Sequence, residues 1–171
     1  VRLVGSEMCI RDSPPPMRGV LHIKKKNHCT VMEDNYMSIR KITDDLLFVG
    51  ASDRRLALFE SAYPVPEGVS YNAYLLRDEK NVLFDTVDRA VADTFLTATA
   101  EALDGADLDY VVVQHMEPDH SASIKAFLEK YGDVTVVGNK KTFKMIRQFF
   151  PGMDLKNTLE VENGDTLATM N

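Results

Sequence analysis

The stretch from Tyr110 to Ser123, Tyr-Val-Val-Val-Gln-His-Met-Glu-Pro-Asp-His-Ser-Ala-Ser, constrains this chain more than any other. Tyr110-Val111-Val112-Val113 is short, β-branched and free of helical periodicity, which predicts a buried central strand. Pro118 cannot donate to a ladder, so the chain leaves the sheet before it. Four potential metal ligands, His115, Glu117, Asp119 and His120, are thereby gathered on a loop at a strand's C-terminal end, where open α/β sheets keep their sites. His115 and Glu117 are two apart and share a side of an extended chain, while Asp119 and His120 follow on the turn into the next helix. Two imidazoles and two carboxylates with no thiolate suit a borderline-to-hard divalent ion. The competing reading is an acidic loop with two incidental histidines. Placement at a strand-to-helix junction favours the metal site.

Size and charge narrow the classes around that motif. A chain of 171 residues can bury one real core. Residues 1–36 carry six Lys/Arg and four Asp/Glu, whereas residues 37–171 carry fourteen and twenty-two. An acidic body argues against nucleic acid and against an anionic membrane surface, both of which need a basic face. No apolar run approaches the roughly 20 residues that span a bilayer, and the start lacks the apolar core of a secretory signal. Both cysteines, Cys9 and Cys29, precede the body, so no disulfide framework is expected there and a cytoplasmic setting fits.

Residues 1–36 differ in kind from the rest of the chain. Ser13-Pro14-Pro15-Pro16 cannot enter a helix, Lys24-Lys25-Lys26 is a solvated charge run, and no periodicity holds. The piece Val4 to Ser13 resembles translated sequencing-adapter read-through, and the segment is expected to be a disordered leader outside the fold. The rival reading, a basic nucleic-acid-binding arm, has only three adjacent lysines to support it.

From Ile39 the pattern becomes regular. Leu46–Val49 and Leu56–Phe59 read as strands, and Tyr63–Gly68 as a loop. Tyr71–Leu76 and Asn81–Phe84 flank a polar turn and predict a hairpin that ends in Asp85-Thr86. Val87, Val91, Phe95, Ala98 and Ala102 have helical spacing, closed by Asp104-Gly105. A second helix places Ile124, Phe127, Leu128 and Tyr131 on one face, with Ser121 as its cap. Val134–Val137 is another buried strand. A third helix from Asn139 turns Phe143, Ile146 and Phe149 inward and stops at Pro151-Gly152. Leu159–Val161 and Thr166–Met170 are expected to pair across Asn163-Gly164. The order predicts an α/β (α+β) mixed sheet with helical cover.

These residues carry a family resemblance. Asn72-Ala73-Tyr74-Leu75-Leu76, Val82-Leu83-Phe84-Asp85-Thr86 and His115-Met116-Glu117-Pro118-Asp119-His120-Ser121 resemble the metallo-β-lactamase fold and, more narrowly, the diiron domain of flavodiiron proteins. Glu117 discriminates: zinc hydrolases of this fold usually place histidine there, and a carboxylate suits iron better. The resemblance covers about residues 38–171. It implies an incomplete metallo-β-lactamase-like αββα sandwich, roughly the N-terminal half. It assigns His115 and Glu117 to one iron, Asp119 and His120 to the other, and Asp85 to supporting the loop from behind. An N-cap on the helix near Val87 is the alternative role for Asp85.

The resemblance further implies two Fe in a diiron site, FMN in a C-terminal flavodoxin-like domain that this chain lacks, and reduction of O2 to water or of NO to N2O. Electrons would come from a rubredoxin-like donor, and the complete protein would be a dimer. Family members supply another histidine, a bridging aspartate and a final histidine beyond this point. The 171 residues alone are therefore expected to bind metal weakly and to be inactive. The reading from a different class is a metallo-β-lactamase-fold zinc hydrolase acting on an ester, thioester or amide. A third is a binding module with a vestigial motif, against which the four intact ligand residues stand.

Overall fold

The computed structural model describes residues 39–169; the segment expected as a leader, with His22 and His28, and Met170 of the expected last strand lie outside the described residues. Strands and helices run in the order β1 Arg40–Lys41, β2 Leu46–Phe48, β3 Ala51–Asp53, β4 Leu58–Phe59, β5 Tyr63–Pro64, β6 Val69–Tyr71, β7 Tyr74–Leu76 and β8 Val82–Phe84. After a 3-10 turn at Arg89–Val91 come α1 Ala92–Leu103, β9 Tyr110–Val112, α2 Pro118–Ser121, α3 Ile124–Lys130, β10 Thr135–Gly138, α4 Lys140–Phe149 and β11 Asn157–Glu160.

Seven strands form one sheet in the order β1-β2-β7-β8-β9-β10-β11, and β3-β6 and β4-β5 are separate pairs. The sheet is mixed as expected. Pairing is antiparallel from β1 to β8 and parallel from β8 to β11. The hairpin joins β7 to β8, with Tyr74 opposite Phe84. Parallel strands need crossovers, and the helices supply them.

Period-two alternation sends side chains to two different cores. Leu83, Val111 and Val136 pack with Phe95, Ala98, Phe127, Phe143 and Ile146 under the helices. Val82, Val112 and Val137 point to the opposite face, where Leu167 packs on them. Phe95 and Phe127 are fully buried with ring centroids 6.1 Å apart, each side chain worth about 1.5–3 kcal/mol of burial. Asp104 at φ 51° and Gly105 at φ 81° close α1 in left-handed conformations, the expected stop.

Four details depart from the sequence reading. The strand expected at 56–59 shrinks to Leu58–Phe59, paired with β5 inside the expected loop, while β3 occupies 51–53. The hairpin ladder expected across Asn163-Gly164 is absent among the described residues: β11 is the edge strand of the sheet and pairs in parallel with β10. Glu162 and Asp165 close a tight turn, and Thr169 reaches Asp78 at 2.8 Å. Ser121 does not cap α3: Ser123 occupies that position without a side-chain bond. Phe149 is 55% exposed. At 100° per residue it lies about 120° from Phe143, whereas Phe150 returns to within about 20° of Phe143 and packs on the core.

These two positions on α4 give a direct check. Phe149→Ala should change stability by no more than about 0.5 kcal/mol, while Phe143→Ala should cost about 3–5 kcal/mol. Urea melts of the two variants measure both.

Candidate metal centre

The parallel pairing of β8 with β9, Phe84 opposite Val112, brings the ends of both strands to one place. The segments leaving the two strands therefore meet: Asp85-Thr86 beyond β8, and Gln114 to His120 beyond β9. Asp85 donates its N–H to the Val112 carbonyl at 2.9 Å, then takes a φ of 59°. Asp visits that left-handed region more readily than most side chains, so the chain can leave the sheet there.

The Asp85 carboxylate is buried and fully used. One oxygen accepts from the Gln114 N–H at 2.7 Å. The other accepts from Gln114 Nε2 at 3.3 Å and from His120 Nδ1 at 3.1 Å. A carboxylate oxygen can only accept, so Nδ1 of His120 carries a proton and Nε2 is the nitrogen left for an ion. The hydrogen bond to Asp85 raises the His120 pKa above its ordinary value. Burial opposes that rise, and the charges of Asp85, Asp119 and Glu117 add to it. The alternative role for Asp85, a helix cap, belongs to Asp88, whose side chain accepts from Ala90 N at 2.8 Å.

The ligand loop is shaped by a few local rules. Glu117 is extended, at φ −68° and ψ 152°, as a residue before proline prefers, and Pro118 opens the one-turn helix α2. Ser121 turns its hydroxyl back onto the carbonyls of Met116 and Glu117, at 3.1 and 3.0 Å. That use is incompatible with capping α3, which is why Ser123 rather than Ser121 stands at the start of that helix.

The four predicted ligands come together as two pairs. His120 Nε2 lies 3.4 Å from Asp119 Oδ2, and His115 Nε2 lies 3.7 Å from Glu117 Oε1. The two imidazole rings are side by side, centroids 5.5 Å apart. Two donors at bond lengths of about 2.1 Å from one ion are separated by roughly 3.0–4.2 Å, so both pairs have the spacing of shared ligands. Asp119 Oδ1 is buried with no hydrogen-bond partner. An orphaned buried carboxylate oxygen costs free energy unless something positive meets it. The residues present fit metal in this respect. The His115 ring is less ready, because its Nδ1 accepts from the Glu117 N–H at 3.1 Å. In the neutral ring the proton is then on Nε2, and that contact must give way before Nε2 can bind an ion. Among the described residues no three His, Cys, Asp or Glu side chains converge as a metal cluster.

Sequence reasoning passed over three neighbours. Thr86 and Gln114 sit against His120 and Asp85, and their only signal was adjacency to a strand end. Tyr71 is buried nearby, its phenol pushed up to about 12 by burial first and then by Asp88, Asp53 and Asp119. It stays protonated.

With sheet, helices and paired donors in view, the class is settled by comparison. The Metallo-beta-lactamase superfamily model matches residues 66–165, and the chain belongs to that superfamily. Its αββα sandwich accounts for the mixed sheet under helices, of which the described residues supply one helical layer and one large sheet. Within the superfamily the chain falls among the flavodiiron proteins. It is 32% identical over 130 residues to Flavo-diiron protein FprA2 of Clostridium acetobutylicum, covering 76% of this chain and 32% of that one. It is 31% identical over 128 residues to a Nitric oxide reductase of Moorella thermoacetica, covering 74% and 32%. The solved structure of rubredoxin oxygen:oxidoreductase from Desulfovibrio gigas superposes with a TM-score of 0.72 at 32% identity, covering 77% and 33%. The chain thus spans about a third of the length of the curated relatives it matches. No helix among the described residues is long and apolar enough to cross a membrane.

Proposed function

We propose that this chain carries part of the non-haem diiron centre of a flavodiiron oxidoreductase, a reductase of O2 to water, of NO to N2O, or of both. His115 and Glu117 would hold one iron, and Asp119 and His120 the other, with Asp85 orienting His120. The observation that carries the reading is the pairing of donors on adjacent imidazoles, with a carboxylate, Glu117, in the first pair. Paired irons, when bound, supply electrons and Lewis acidity to substrate atoms held close together. The chain's own residues present the donors: Asp85 fixes the tautomer of His120, and Ser121 holds the loop carbonyls behind Glu117.

The relatives named for rubredoxin and for nitric oxide are more than twice as long as this chain, which covers about a third of each. The reaction is accordingly proposed for the protein containing this sequence, with FMN in a flavodoxin-like domain, a rubredoxin-like donor, a dimeric state and a cytoplasmic location. Neither nucleic acid nor a membrane is a proposed partner, since the described body is acidic.

Glu117 offers the sharpest test. It is exposed and makes no side-chain cap bond, so Glu117→Ala should leave the melting curve nearly unchanged. The same change should lower iron content and abolish O2 or NO consumption by the whole protein. Zinc in place of iron, with esterase activity and no O2 or NO uptake, would select the hydrolase reading instead.

A further inference from the structure

We propose that Thr86 is a positioning residue for His120, clamping its carbonyl so that the ring is presented to an ion from a fixed point. The inference rests on the reading of this loop as a metal centre.

Thr86 is 1% exposed at the end of β8. Its hydroxyl donates to the His120 carbonyl at 2.7 Å and its N–H donates to the same oxygen at 2.9 Å. Both lone pairs of that carbonyl therefore answer to one residue 34 positions earlier. The contact continues in register: Ser123 N donates to the Val87 carbonyl at 3.1 Å, and Ser123 Oγ to that of Asp88 at 3.2 Å. Segment 85–88 thus grips segment 120–123 along its length.

His120 needs such a grip because α2 is four residues long. A single turn cannot hold its own shape, since helix nucleation is unfavourable and few bonds reward it. Tertiary contacts must therefore set where residue 120 lies. Asp85 orients the ring through Nδ1, and Thr86 anchors the backbone that carries the ring. Fixing both ends defines the place of Nε2. Anchoring the backbone alone would leave the ring free to turn, and orienting the ring alone would let the whole turn drift.

The experiment compares Thr86→Val, which keeps the shape and loses the hydroxyl, with Thr86→Ser, which keeps the hydroxyl and loses the methyl. Co(II) alone is titrated into each metal-free whole protein containing this sequence and followed by its visible absorption. Loss of outer contacts to metal ligands typically costs 10–100-fold in affinity. Thr86→Val should weaken Co(II) binding by roughly tenfold, and Thr86→Ser should stay within about twofold of the parent protein. In the metal-free state, amide hydrogen exchange across residues 119–123 should quicken in Thr86→Val and not in Thr86→Ser. A valine variant that binds Co(II) like the parent would overturn the clamp, as would a serine variant weakened as much as valine. Should the parent protein take up no Co(II), the metal-centre reading fails separately, and unchanged exchange in Thr86→Val overturns the clamp by itself. If valine prevents folding, Thr86→Ala, which also lacks the hydroxyl, takes its place: Co(II) affinity like that of the parent overturns the clamp, and a roughly tenfold loss that Thr86→Ser does not share supports it.

Discussion

Gly50→Ala is expected to cost about 3–5 kcal/mol, and Gly50→Val to abolish cooperative folding, because the position has no room for a Cβ. A Cβ built there would lie 2.0 Å from the Tyr71 carbonyl oxygen, 2.9 Å from Ala73 N and 2.9 Å from the Phe48 ring. Two of those atoms are backbone, so no rotamer change relieves the clash. The region is a crossing of two chain paths. β2 and β3 run along one path, β6 and β7 along the other, and the ladder survives between them through Val49 N to Ala73 O at 2.9 Å. Opening that crossing would unpair β7 from β2 and disturb the hairpin that ends in Asp85. The damage should therefore reach the candidate metal centre from a distance. Thermal and urea melts measure the first effect, and metal content of the surviving fraction measures the second. A Gly50→Ala protein melting with the parent would mean that these strands separate at little cost.

Nothing about Gly50 could be read from the chain beyond a strand stop, and the reason is general. Close approach between backbones is a property of two segments, and a sequence displays one at a time. What was legible depended on local periodicity. Val111 and Val136 face the helices while Val112 and Val137 face away, as an apolar run buried on both sides requires. Helices α1 and α4 announced themselves through spacing, the Asp104-Gly105 stop and the start at Asn139, whose side chain caps α4 by accepting from Thr142 N at 2.9 Å. Where apolar residue type and geometry disagreed, geometry won. Phe149 is apolar but sits at the wrong angle, and Leu159–Val161 meets the available edge of β10 before any hairpin partner.

The site divides in the same way. His115, Glu117, Asp119 and His120 were legible because donor chemistry is written in residue types and their spacing is short. Their arrangement as two pairs, 3.4 and 3.7 Å across, was implied only by family resemblance. Asp85 was visible as a carboxylate after a strand, yet capping and support were equally open. Parallel pairing of β8 with β9 is what aims it at Gln114 and His120, and parallel register joins residues 29 and 35 positions apart. No local pattern encodes that.

Asp85 is accordingly where the second large effect should appear. Asp85→Ala removes the acceptor for the Gln114 N–H and for His120 Nδ1, and asks alanine to take a φ of 59°. Stranding buried donors costs about 1–3 kcal/mol and the left-handed backbone about 1–2 kcal/mol more, so a loss of roughly 2–5 kcal/mol is expected. Asp85→Asn separates the causes. Asparagine tolerates the backbone and can still accept from Gln114, but one of its two side-chain positions now donates. The imidazole loses its acceptor there, so affinity for metal at the Asp119–His120 pair should fall 10–100-fold with a smaller loss of stability.

The pH dependence of the metal-free protein carries the sign. The His120 pKa is raised in the folded state, so its contribution is fully present below the unfolded value near 6.5 and is lost as pH rises through the folded value. The stability gap between the parent and Asp85→Asn should therefore be widest below about pH 6.5 and shrink above it. Urea midpoints from pH 5 to 9 measure that gap. A gap independent of pH would mean that Asp85 serves Gln114 alone, and the imidazole would then be oriented by the Thr86 clamp and the loop without help from a carboxylate.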